Sequence, residues 1–584
     1  MAIRMTRLTK LALVAVASLC VAGDVHAQPT LRQVIVLSRH GVRGPYGLGT
    51  NVPQQDIIDQ YVTNPEVDLP LSAVEWGTSE TDDPSEIVSP KLTKHGYKLV
   101  EKMGDFFRNH LYEQFIHDTP CEQLFAYADA NQRDNVTAQA FLNGAFAACN
   151  ATQPITAGTR ELFEQGQDPT AACPVCSRTV YNGIAGAPDC RYIIHENRKE
   201  IHEINRLLGC CAPPVCGIDP PPPPPPTPRP AGVNQTNTSH PPHECSFFDI
   251  PSVWSGAFYE PWKDPLSSAQ YFTEFLMLQA LNGMPLPRGI PFHKVKELSR
   301  LHEAHMDLIT NDVNSANFGA TLLAHMTASM AQRASGKNIT LPANVNGPTL
   351  APGPQNRFLF YAGHDINILY LRNLLRLQWY TRGWAPHQAT PGGMLIFELH
   401  ERPAKSGGHL VSSTNNTSIS RHRRLGGNAD AGKNHHFIKV FFVTATPEQM
   451  RHGESLSQSN SPDVVPVTIP FCSEDELQAD GSTLTVCPLE KFKTLIGETL
   501  KHECVADSLR PFVDSLNGNG SGGDKPSAAG TALHVLLWML FAVLIVVFFA
   551  VVARHLLERS RSRNGNASKQ EYGTLPQVAA EVEE

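Results

Sequence analysis

The residues best suited to chemistry are Arg39-His40-Gly41-Val42-Arg43-Gly44-Pro45, which follow the apolar run Val34-Ile35-Val36-Leu37. One imidazole stands between two guanidinium groups at the mouth of a predicted buried strand. A neutral ring there can attack a phosphorus atom whose oxygens the arginines hold. The glycines let backbone approach a bound group closely, and the carboxyl edge of a parallel sheet is where open α/β folds place their ligands. The competing reading, a surface loop with scattered charges, leaves the preceding strand as coincidence.

Two later segments carry residues that suit the same anion. Arg133-Asp134-Asn135-Val136-Thr137-Ala138 precedes an amphipathic helix. Tyr361-Ala362-Gly363-His364-Asp365-Ile366-Asn367 sets a His-Asp pair between a strand read as Arg357 to Tyr361 and a helix read as Ile368 to Leu377. Taken singly, Arg133 reads as a surface charge and His364-Asp365 as a helix cap. Together with the first motif, they resemble the histidine acid phosphatases, a branch of the histidine phosphatase superfamily marked by R-H-G-x-R-x-P, R-T-x-x-T-A and an H-D pair. Asp134 stands where that pattern has threonine. Thr390-Pro391-Gly392-Gly393 before Met394 to Glu398 is similar to the family's turn into its next strand. The likeness runs from about Leu31 to Cys504. Local wording is similar to bacterial periplasmic phytases and glucose-phosphatases, and the layout to lysosomal-type membrane acid phosphatases.

The resemblance implies an α/β fold: a mostly parallel sheet flanked by helices, phosphoglycerate-mutase-like, with a smaller, mainly helical inserted domain. It implies His40 as nucleophile, one ring nitrogen attacking while the other donates to the Gly41 carbonyl, and Asp365 as the acid that protonates the leaving oxygen. Arg39, Arg43, Arg133 and His364 are the implied phosphate ligands. They suit a loose transition state whose charge spreads over three oxygens. No metal or cofactor is expected. A free aspartate has a pKa of about 3.9, so an acidic working pH or a raised pKa would keep Asp365 protonated. The expected function is a membrane-anchored acid phosphatase acting on phosphate monoesters through phosphohistidine. Its rivals are a phytase or inositol-polyphosphate phosphatase, and a catalytically silent surface receptor on the same fold.

The 584 residues divide into a signal peptide over 1–27, an enzyme domain over 28–510, a stalk over 511–530, a transmembrane helix over 531–553 and a cytosolic tail over 554–584. Arg4, Arg7 and Lys10 before an apolar run and a small-residue site at Ala27 carry the first assignment. About 23 nearly uncharged residues followed by Arg554, Arg559, Arg561 and Arg563 carry the anchor and its orientation. The expected product is a single-pass type I protein of the cell surface or the endosomal and lysosomal system. Tyr572 to Leu575 resembles an endocytic sorting signal that an adaptor reads, and the sequence leaves a homodimer open. A formal net charge of −8 and the lack of a basic patch outside the juxtamembrane arginines exclude a nucleic-acid partner.

Two insertions interrupt the domain. Residues 210–245 hold the run Pro220 to Pro226 between cysteines, and 402–436 form a polar loop with glycosylation sequons at Asn415 and Asn416. Of 13 cysteines, Cys20 leaves with the leader, and the even remainder reads as disulfides in an oxidising compartment. The resemblance implies Cys121 with Cys149, Cys173 or Cys176 with Cys504, and Cys472 with Cys487. Cys190, Cys210, Cys211, Cys216 and Cys245 stay unassigned. Further expected elements are strands Leu31 to Leu37, Leu124 to Ala128, Met394 to Leu399 and Phe437 to Thr444. Helices are expected over Thr93 to Phe115, Ser268 to Asn282 and Lys294 to Asp312. His302 and His305, three apart on the last of these, read as a solvated helix surface.

Overall fold

The computed structural model describes residues 29–149, 154–156, 162–163, 173–212, 215, 245–339, 352–402, 435–477 and 482–517. The expected leader, anchor and tail and most of both insertions therefore lie outside the described residues; the stalk expected over 511–530 does so from 518, and its first residues are no stalk but part of a helix over Arg510–Leu516 that buries Phe512 and Val513. No described helix is long and apolar enough to cross a membrane.

Val34 to Leu37 are fully buried on strand β1, Thr30–Arg39. Alternation decides where they go. Val34 and Val36 pack with Met103 and Phe141 on one face, whereas Ile35 and Leu37 pack with Met326 and Leu371 on the other. Helix α1, Lys94–Phe106, and α2, Gln132–Ala145, cover the first face. The second lies beneath later helices, so the sheet is the middle of three layers. Each such buried side chain contributes roughly 1.5–3 kcal/mol. Gly104 of α1 faces Gly144 of α2, and a Cβ at either would collide with the other helix's backbone.

Among the described residues nine strands form the main sheet. β2, Leu124–Ala128, and β3, Ile155–Thr156, precede a segment whose described residues form eight α-helices and a small hairpin. It includes α3, Pro265–Leu281, α4, Phe292–Leu298, α5, Arg300–Ile309, and α6, Ala320–Ser335. The chain then makes β4, Phe358–Gly363, α7, Asp365–Leu375, β5, Met394–Arg402, β6, His435–Thr444, β7, Asp463–Val467, β8, Glu474–Leu477, and β9, Thr483–Pro488. The order is β8-β9-β6-β5-β1-β4-β2-β3, with β7 beside β6.

The sheet is mixed, which corrects the mostly parallel expectation. β1, β4, β2 and β3 pair in parallel, but β5 runs antiparallel to β1, and every later strand continues antiparallel. Parallel pairing needs a long crossover, and helical crossovers supply it only in the first half. Two expected helices are also broken. Past Phe106 the backbone widens into a π-turn over Phe107–Leu111, which sets the Tyr112 hydroxyl to donate to Glu398 at 2.7 Å, and a new helix follows over Glu113–His117. Lys294 to Asp312 divides at Ser299 into α4 and α5, and α5 stops at Ile309, so that Asp312 opens a further helix over Asp312–Phe318. The three implied disulfides form, with Cys173 as the partner of Cys504 across 331 residues. Cys176, Cys190 and Cys210 are buried thiols, while Cys245 is disulfide-bonded.

Candidate active site

Strand register brings the three motifs to one edge. Arg39 pairs with Gly363 across β1 and β4, His40 N–H donates to the Gly363 carbonyl at 2.8 Å, and Asp129 N–H donates to Ala362 at 2.9 Å. The carboxyl ends of β1, β4 and β2 thus lie side by side. The loop after β1 is fixed from several directions. Gly41 N–H donates to Thr137 Oγ1 at 2.9 Å, Thr93 N–H to the Val42 carbonyl at 3.0 Å, and Gly392 N–H to the His40 carbonyl at 2.8 Å. A Cβ at Gly41 would lie 2.8 Å from Val100 Cγ2, so that close approach needs glycine.

His40 Nδ1 lies 2.9 Å from the Gly41 carbonyl. A carbonyl only accepts, so Nδ1 carries the proton and Nε2 keeps the lone pair. Burial and then Arg133, Arg39 and Arg43 hold the imidazole well below its ordinary pKa. The ring therefore stays neutral in acid that would protonate a free histidine. Its centroid is 5.8 Å from that of His364.

All six expected site residues converge. Arg39, at the end of β1, donates to the Ala389 carbonyl at 2.7 Å and pairs with Asp365 Oδ2 at 2.8 Å. Arg43 lies over the Tyr46 ring at 4.6 Å, and Arg133, in the first turn of α2, lies over the same ring at 5.6 Å. Arg133 Nη2 is 3.4 Å from His364 Nδ1. The Nε atoms of Arg39, Arg43 and Arg133 are buried without a hydrogen-bond partner among the described residues. Such donors suit an oxyanion. Asp365 is the first residue of α7 and accepts from Ile366 N–H at 2.9 Å, so it is both a helix-terminus residue and a site residue.

Burial alone would raise Asp365, yet Arg39, His302 and His364 bring it below the usual carboxylate range. A raised pKa, one of the two expected routes to a protonated acid, is thus not realised; low pH is the remaining route. His302 and His305 are not solvated. The His302 side chain is 12% exposed and His305 as a residue 6%, because α5 turns them inward against α3 and the segment before it. His302 Nδ1 meets Gln270 Oε1 at 3.0 Å, and His305 Nε2 meets the Tyr259 carbonyl at 2.8 Å.

Several site groups escape the motif reading. Glu274 of α3 accepts from Arg43 at 2.6 Å and lies 3.9 Å from Arg39 and 4.0 Å from His302. Despite burial, Arg43, His302 and Arg39 lower its pKa. A lone carboxylate within the apolar Phe272 to Leu278 stretch is the signal, since a charge there requires a partner. Asp129 directly follows β2 and binds His364 Nε2 at 2.9 Å; position at the strand end was its signal. Burial, with Asp307 nearby, pushes the Glu303 carboxyl up to about 8.

Asp129, Asp134 and His364 present donor atoms within 4.8 Å of one another, the one metal-type cluster among the described residues. Arg133, 3.8 Å from Asp134, already supplies a cation there. The cluster is built as an ion-pair network.

An anion pocket of arginines surrounds a neutral, backbone-tethered histidine at the edge of a mixed α/β sheet, the arrangement that the resemblance to histidine acid phosphatases implies. Residues 30–174 match the family described as Histidine phosphatase superfamily (branch 2). The chain is similar to Phytase AppA of Escherichia coli (strain K12), 26% identical over 491 residues, 81% of this chain and 93% of that protein. It is also similar to Glucose-1-phosphatase of Salmonella typhimurium, 23% identical over 84% of this chain and 99% of that one. In fold it matches Hafnia alvei phytase in complex with tartrate at TM-score 0.57 and 22% identity, covering 82% of this chain and 99% of the other. Citrobacter braakii phytase matches at 0.57 and 21%, with the same coverage.

Proposed function

We propose that this phosphatase hydrolyses phosphate monoesters through a phosphohistidine on His40. The observation that carries the proposal is the His40 tautomer: Nδ1–H bound to the Gly41 carbonyl, Nε2 unprotonated, the ring held neutral among three arginines. Nε2 attacks phosphorus as the ester P–O bond breaks. Asp365 gives its proton to the leaving oxygen. Water then attacks phosphorus, the N–P bond breaks, and Asp365 takes the proton back. Arg39, Arg43, Arg133 and His364 hold the equatorial oxygens.

Asp365 is held low by Arg39 in the free enzyme, so the acid form is populated only at low pH. A phosphoryl group that draws Arg39 away relaxes this hold. The expected rate therefore peaks in acid and falls as pH rises. Convergence of the nucleophile, arginines and acid argues against a silent receptor on this fold. Relatives named for phytate and glucose 1-phosphate support a second reading, hydrolysis of inositol polyphosphates or sugar phosphates. Phosphate release from p-nitrophenyl phosphate, glucose 1-phosphate and phytate, measured across pH, tests both. Activity on phytate alone supports the phytase reading, activity on all three the general one, and none on any defeats the proposal.

The proposed location rests on sequence. The leader over 1–27 and the apolar segment over 531–553 support an exported, type I membrane-anchored enzyme, and Tyr572 to Leu575 supports endosomal sorting by an adaptor. Homodimerisation is a further proposal that sedimentation of the full chain checks.

A further inference from the structure

We propose that Tyr46 is a positioning residue whose ring face draws the Arg43 and Arg133 guanidinium groups to one place, so that both stand ready for a phosphoryl group before substrate arrives. The inference rests on the phosphatase reading and extends it to the residue just past the R-H-G-x-R-x-P motif, which ends at Pro45.

Arg43 comes from the loop after β1 and Arg133 from the first turn of α2, so strand register does not bring their side chains together. Their like charges repel. The Tyr46 ring supplies a common attraction. Arg43 Cζ lies 4.6 Å from its centroid and Arg133 Cζ 5.6 Å, both inside the about 6 Å over which an aromatic face attracts a cation. A cation held by a ring face keeps its N–H donors for an oxyanion, whereas one held by carboxylates spends them.

The two arginines differ in what else holds them. Arg43 Nη1 donates to the Gly44 carbonyl at 2.9 Å, and Nη2 to Glu274 at 2.6 Å. Arg133 has longer tethers, Nη2 to His364 Nδ1 at 3.4 Å and Nε 3.8 Å from Asp134. The ring contact therefore matters most for Arg133. Tyr46 itself is fixed through its backbone. Pro45 precedes it, and the Tyr271 hydroxyl of α3 donates to its carbonyl at 2.8 Å. Gly47 then bridges to Thr50 in a turn so tight that a Cβ at Gly47 would collide with the Val52 carbonyl. The half-buried ring thus stands on a pinned backbone, and two flexible side chains settle against it.

Ring fluorination weakens the negative face of an aromatic ring with little change of shape, which gives the test. The full chain is prepared with Tyr46→Leu, with Tyr46→Phe, and with Tyr46→Phe carrying one, two or three ring fluorines. Each is titrated with inorganic phosphate as an inhibitor of p-nitrophenyl phosphate hydrolysis at one pH. Tyr46→Leu should weaken inhibition by about 2- to 30-fold, the range from an exposed to a desolvated contact, and lower kcat/KM by a similar factor. Tyr46→Phe should recover most of that loss, because the face and not the hydroxyl makes the contact, and successive fluorines should remove the recovery stepwise. In an Arg133→Ala background the loss caused by Tyr46→Leu should shrink, since one of its two cations is gone. A flat response across the fluorinated series overturns the inference, as does Tyr46→Phe binding phosphate no better than Tyr46→Leu. Should Tyr46→Leu fail to fold, the nearly isosteric fluorinated series still decides. His40→Ala separates the two levels. If that variant keeps its activity on p-nitrophenyl phosphate, the phosphatase reading fails whatever the fluorinated series shows; if it is inactive while the series is flat, only the role of Tyr46 fails.

Discussion

The groups around the nucleophile come from two kinds of structure. Arg39, His40, His364 and Asp365 sit at or just past the ends of adjacent strands, where the register pairs Arg39 with Gly363 and His40 N–H donates to the Gly363 carbonyl. Glu274, His302 and Glu303 come from α3 and α5, helices of the segment between β3 and β4. The sheet side supplies the nucleophile, the acid, Arg39 and Arg43, while Arg133 comes from the first turn of α2. The helical side supplies carboxylates and imidazoles that compete for those cations. The difference teaches that bond-making groups are placed by backbone pairing, while groups that tune charge ride on side-chain packing, which alters more easily.

That contrast can be broken. Arg43 belongs to the sheet side but reaches across to Glu274. If the sheet-side cations stabilise the transition state, Arg43→Ala should lower kcat/KM by roughly 10²–10³-fold on p-nitrophenyl phosphate. A loss confined to KM would instead mean uniform binding of substrate and transition state.

A smaller effect sharpens the helical side. Arg43, His302 and Arg39 hold the Glu274 carboxyl below its usual pKa despite its burial. Its charge opposes phosphate on the same guanidinium groups. Glu274→Gln should therefore tighten inhibition by inorganic phosphate several-fold at pH 6, on the order of the charge effect expected for a partly buried pair. The advantage should shrink as pH falls through the Glu274 pKa, where the parent carboxyl itself becomes neutral. Weaker inhibition by phosphate would show that Glu274 orients Arg43 rather than competing with substrate.

Legibility followed the same division. β2 was readable to the residue and β1 nearly so, because buried strands leave short apolar runs bounded by turns. The His-Asp pair was readable because a strand end and a helix start meet there. Sheet direction was not, since antiparallel and parallel neighbours share the same apolar pattern when both faces are covered. Nor was the break at Ser299, whose backbone stays in the helical region between the two helices. His302 was misread for a related reason: two polar residues at helical spacing look solvated until a second helix closes over them. Asp134, visible as a departure from a pattern, acquires meaning only through its distances to His364 and Arg133.

The central claim is that His40 Nε2 carries the phosphoryl group between two chemical steps. Rapid mixing of the full chain with radiolabelled phosphomonoester, quenched in alkali to preserve a phosphoramidate, tests it directly. The account predicts label on the peptide containing His40 that appears within one turnover, decays as phosphate is released, and is absent from His40→Ala, whose activity falls by about 10⁴-fold or more. Steady phosphate release with no label on that peptide, or label retained in His40→Ala, would contradict it.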